Sequence, residues 1–164
     1  MPRHLRTGRL AILCMLVIGC MVAAAAPAGA TATTARHSRV PVKIETRGQF
    51  TGPDTVSGTF TLRVGRVKDS GTYTETFTIV GDVIDAVKVL TGSRGTLVIG
   101  VHTFIDLPTP TTPTFHGGRW RILSGTGVYC GLQGGGRPGA IGGGDLAAGT
   151  TEVSHRGTAR LGRT

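Results

Sequence analysis

The chain is poor in cysteine, in aromatic residues and in helical periodicity. Its three cysteines are Cys14, Cys20 and Cys130, and the first two fall in an N-terminal segment that reads as cleavable. The mature chain then keeps one thiol and forms no internal disulfide. Aromatic residues make up 5% of the chain, and no basic cluster is interleaved with them, which excludes the usual layout of a nucleic-acid site. After the N-terminal segment no apolar period of 3.6 residues is sustained for the roughly ten residues a helix needs, so a helical fold is excluded. The sequence also lacks a Gly-x-Ser-x-Gly elbow, a phosphate loop ending in Gly-Lys-Ser/Thr and a His-Glu-x-x-His pair. With them go the common signatures of hydrolase, nucleotide and zinc-protease chemistry.

What is present first is an export signal. Arg3, Arg6 and Arg9 precede an uncharged apolar run from Leu10 to Ala26, and small residues follow, the layout of a secretory signal peptide over residues 1–30. Cleavage is expected after Ala30 or after Ala32. A second export route stays open: Val17-Ile-Gly-Cys20 fits a lipobox, which would leave the protein lipid-anchored through Cys20. Residues 31–39 read as a disordered leader and 40–164 as one domain, a length that buries a modest core. The formal net charge is +9; losing Arg3, Arg6 and Arg9 takes 3 from it and leaves +6. Such a basic exported chain is expected to be drawn to anionic cell-envelope polymer.

The domain reads as strands. Val40, Val42 and Ile44 alternate with polar residues to Glu45, and Gly48 and Gly52-Pro-Asp54 break the run. Val56 to Val67 and Thr72 to Val80 form a hairpin about a Lys68-Asp-Ser-Gly71 turn, with Tyr73, Glu75, Phe77 and Ile79 on one face and threonines on the other. Val83 to Leu90 is β-branched and short, hence a strand. Thr96 to Leu107 is apolar on both faces, as in a strand that is central or covered. Pro108 to Thr114 reads as an extended connector rather than as a Pro110-x-x-Pro113 ligand motif, ended by His116-Gly-Gly118, and Gly134 to Gly149 as a flexible loop. Thr151 to Leu161 supplies a last strand able to close the sheet. About eight strands predict an all-β barrel, with a sandwich as the alternative.

Arg119 to Gly136 holds the single tryptophan and reads as strand, turn and strand. Trp120 and Ile122 share one face, Val128, Cys130 and Leu132 another, and Gly125 and Gly127 make the corner. The block from Trp120 through Ser124-Gly-Thr-Gly-Val-Tyr-Cys-Gly-Leu-Gln-Gly-Gly-Gly136 resembles one found late in bacterial proteins of the allene-oxide-cyclase-like and dirigent-like group. That resemblance implies a single eight-stranded antiparallel barrel with a central cavity. It carries over no catalytic position: allene oxide cyclases use an asparagine-held water, and this chain contains no asparagine.

Three functions follow as expectations. The first is a secreted, non-catalytic barrel that binds or guides an apolar small molecule, with Tyr73, Phe77, Trp120 and Cys130 as candidate cavity residues. The second is an isomerase or cyclase with Glu75 as acid or base, because the phase of Glu75 with Tyr73 and Phe77 turns a carboxyl inward, into a low dielectric suited to such work. The third is a cell-wall-associated structural or interaction protein. Cys130 also reads as core filling. His102, His116 and His155 lack metal-ligand spacing, so no metal or cofactor is expected; self-association is left open, and neither a nucleic-acid partner nor a membrane span in the mature chain is expected.

Overall fold

Among the described residues every strand pairs antiparallel with its neighbours, and the last pairs back on the first. A computed structural model describes residues 39–161. They form β1 (Val40–Gly52), β2 (Thr55–Val64), β3 (Val67–Val80), β4 (Val83–Gly92), β5 (Gly95–Thr109), β6 (Thr112–Gly125), β7 (Leu132–Gly136), β8 (Ile141–Asp145) and β9 (Thr150–Leu161). The expected signal segment, its cleavage points after Ala30 or Ala32, the Cys20 lipobox and the leader as far as residue 38 lie outside the described residues.

Closure comes from β9 against β1, in register from Val40↔Ala159 to Gln49↔Thr150. The segments β7 and β8 follow one another in a single position between β6 and β9. Nine segments therefore occupy eight places in a closed antiparallel barrel, the architecture that the strand rhythm predicts.

Alternation decides which side chains fill it. Val42, Ile44 and Thr46 of β1, Phe60, Leu62 and Val64 of β2, and Leu97, Ile99 and Val101 of β5 are buried while their sequence neighbours face outward or are less covered. Complete burial of Ile44, Leu90, Leu97 and Ile99 contributes roughly 1.5–3 kcal/mol each. These residues pack the end of the barrel that carries the β2–β3 and β4–β5 turns. The opposite end, with the β1–β2, β3–β4 and β5–β6 turns, is open.

Four expectations are corrected. The β2–β3 turn lies at Gly65–Arg66, so Lys68 to Gly71 is strand; Gly65 has φ +58° and takes the tight turn. Pro108 to Gly118 is not a connector but the end of one hairpin, whose turn is only Pro110–Thr111, and Pro113 is buried. Gly134 to Gly149 is not a flexible loop, since it contains the end of β7 and all of β8. A Cβ on Gly134, Gly135 or Gly136 would stand 2.3, 2.2 or 2.0 Å from the carbonyl oxygens of Thr158, Trp120 and Arg156; these glycines admit backbones that no side chain would allow. Finally, the chain after Gly125 does not continue as a strand. Gly127, at φ +58°, opens a 3-10 turn over Gly127–Tyr129. That turn reverses the expected phase, so Tyr129 is buried, Val128 is exposed and Cys130 is exposed.

Candidate functional site

The open end of the barrel leads into a cavity of about 430 Å³. Its walls are apolar, chiefly Phe77, Ile84, Val101, Ile105 and Phe115. Set among them are Glu75, Lys88 and His155, with the hydroxyl-bearing Thr103 and Thr151.

Strand phase and register bring the polar group together. Tyr73, Glu75 and Phe77 alternate inward on β3, as Ile84, Ala86, Lys88 and Leu90 do on β4. Glu75 and Lys88 are direct cross-strand partners. Lys88 Nζ lies 2.8 Å from Glu75 Oε2, with side-chain exposures of 2% and 12%, and 5.3 Å from the Tyr73 ring centre, where it gains a cation–π contact. Desolvating two such ions costs several kcal/mol each, which their attraction only about offsets. An apolar pair would serve the core as well, so the pair is no net source of stability.

His155 comes from β9 and is fully buried. Its Nδ1 pairs with the Gly139 carbonyl oxygen; a carbonyl only accepts, so Nδ1 carries the proton and Nε2 presents a bare lone pair. Burial, reinforced by the positive charge of Lys88, pushes the imidazole down to about 3, against the pull of the Gly139 bond. Nε2 has no hydrogen-bond partner, and neither does the Tyr73 hydroxyl that faces Thr46. Burial, then the Glu75 charge, pushes that phenol up to about 12. A neutral imidazole acceptor and an ion pair thus line an apolar chamber, with the Tyr73 phenol buried under the Lys88 ammonium. They suit a small apolar molecule that carries one polar end.

The expected residues are partly reassigned. Glu75 and Phe77 line the cavity. Tyr73 is buried beside Lys88 rather than along the cavity wall. Trp120 is interior but does not line this cavity: its Nε1 donates to Arg156 O at 2.9 Å, and its ring centre is 6.3 Å from that of His155. Cys130 is exposed outside the barrel and is neither core nor cavity, because the 3-10 turn rotates it out. Lys88 and His155 were not among the expected site residues. Their signal was present in the phases Ile84-Ala86-Lys88-Leu90 and Thr151-Val153-His155, each a polar residue in an inward row.

The closed end holds a second buried carboxylate. Asp69 accepts hydrogen bonds from Tyr129 Oη at 2.9 Å, Ser93 Oγ at 3.1 Å, and the backbone N–H groups of Ser70 and Arg94. Burial would raise this carboxyl, but the four donors outweigh it and hold it below the ordinary value of 3.8. Burial and the bond to Asp69 push Tyr129 upward. This network seals the base of the barrel. His102 and His116 lie outside, 2.8 Å from Asp85 and Asp106 respectively. Among the described residues no three His, Cys, Asp or Glu side chains are grouped to hold a metal ion.

No protein-family model and no curated protein matches this chain. Among solved structures it is similar to the pterocarpan synthase dirigent protein GePTS1, at 15% identity over 77% of this chain and 92% of that one, with a TM-score of 0.44.

Proposed function

We propose that the protein is an exported, non-catalytic barrel that holds or guides a compact apolar molecule bearing a polar group. The observation that carries this reading is the composition of the cavity, with apolar walls beside His155, Lys88 and Glu75. Its volume of about 430 Å³ falls within the usual range for small-molecule sites. The first layout of the Arg3-to-Ala30 segment supports export.

An isomerase or cyclase with Glu75 as acid or base is the second reading, supported by the position of that carboxyl against the cavity. Engagement of Glu75 by Lys88 favours the binding role over it. The test is titration of the protein with the neutral fluorophore N-phenylnaphthylamine, whose emission rises in an apolar site. Ala86→Phe fills the chamber and should abolish the rise while the fold is kept. Equal emission from both proteins would reject the cavity as the site. Turnover of a bound compound that disappears in Glu75→Gln would move the assignment to the enzyme.

A further inference from the structure

The outer face of the barrel carries a file of four cations in direct cross-strand register. Arg156 of β9 is opposite Lys43 of β1, Lys43 is opposite Arg63 of β2, and Arg63 is opposite Lys68 of β3. All four are exposed. Strands lie about 4.8 Å apart, so the file runs roughly 14 Å around the barrel. Directly opposed like charges destabilise a sheet, and here three such pairs follow one another. Their nearest acidic relief is Glu45, 2.6 Å from Lys43 Nζ; Arg63 Nε donates to the Gly65 carbonyl oxygen. Among the described residues neither Arg156 nor Lys68 has a salt-bridge partner.

The file continues toward a groove. Arg39 and Arg160 flank a hollow of about 310 Å³ whose bed is the bare backbone of Gly134 and Gly135 and whose lining includes no acidic residue. Thus cations run from that hollow, across β9, β1 and β2, to β3. From these observations we infer that this face binds a linear phosphate-bearing polymer laid across the strands. Arginine forks match phosphate oxygens two at a time, and the lysines add point charge.

A polymer fits the file better than the other anionic partners. The exposed large apolar residues of these four strands, Ile79, Val80 and Leu161, sit at strand ends, so nothing along the file would enter a bilayer. No aromatic residue faces outward beside the four cations, which leaves nucleic-acid bases no platform to stack on. The site is separate from the cavity, and its test does not depend on what the cavity holds.

The experiment measures binding of the full chain to long-chain inorganic polyphosphate across a series of salt concentrations. Arg63→Ser/Lys68→Ser should weaken binding at least about tenfold and reduce the slope of log K against log salt by about 1.5. Its thermal midpoint should hold or rise, because opposed like charges are removed. Arg119→Ser/Arg121→Ser removes the same charge from the outer face of β6 and should change affinity by less than about twofold if position matters and not net charge alone. Equal losses in the two doubles would overturn the inference. So would binding of polyglutamate or phosphatidylglycerol vesicles as tight as that of polyphosphate, or a binding curve that ignores salt.

Discussion

Lys88 Nζ stands 2.8 Å from Glu75 Oε2 inside the barrel, and the two residues are opposite one another in the β3–β4 ladder. Removing one member leaves the other charged and without compensation. Lys88→Met is therefore expected to destabilise the fold by about 3–5 kcal/mol, whereas Glu75→Leu/Lys88→Met should recover most of that loss. Urea denaturation of both single variants, the double variant and the parent measures the coupling. A loss in the double equal to the sum of the losses in the two singles would show that the charges are independent.

Asp69 supplies a different stability, dependent on pH. Its carboxyl is held below the ordinary 3.8, so its contribution is present above that value and disappears as pH falls through the folded-state one. Asp69→Asn should be less stable than the parent at neutral pH, and the gap should narrow in acid below the unfolded value of 3.8. Tyr129→Phe, which removes one donor to a charged acceptor, should cost about 1.5–3 kcal/mol. Thermal melts across pH give both numbers; a gap that stays constant into acid would contradict the proposed network.

His155 adds a second acid-sensitive step at higher pH. It is neutral in the folded chain down to about 3, against an ordinary value of 6.5. The unfolded chain therefore takes up the extra proton between those limits, and stability is full above 6.5 and lost as pH drops toward 3. His155→Gln should flatten the pH dependence across that window by up to about 1.4 kcal/mol per pH unit. Identical slopes in parent and variant would mean that the buried imidazole titrates normally.

The barrel was legible where side chains alternate, and illegible where they are missing or rotated. Tyr73, Glu75 and Phe77 announce an inward face of β3 because every second residue is bulky. Gly134 to Gly136 carry no such mark: a glycine strand has no side-chain period, and its strand character comes from how closely Thr158, Trp120 and Arg156 approach. Cys130 was misplaced for another reason. A period of two extrapolated from Val128 assumes extended backbone, and one 3-10 turn is enough to bury Tyr129 and expose Val128 and Cys130, while Leu132 beyond it is buried as expected. In β4 the valines at 83, 87 and 89 made the outer row look as apolar as the inner one, which hid Lys88 among core positions. Glu75 could be placed from its own strand, but its counter-ion required the register between two strands.

The seam between β1 and β9 joins the segments that are farthest apart in the described sequence. Until it zips, both strands expose ladders of unpaired backbone donors and acceptors, the kind of surface on which stray chains stack. Assembly must wait for this long-range meeting, which makes ring closure a late and slow event. Shortening either segment would turn a self-contained cylinder into an adhesive ribbon, and yield would be lost to clumping.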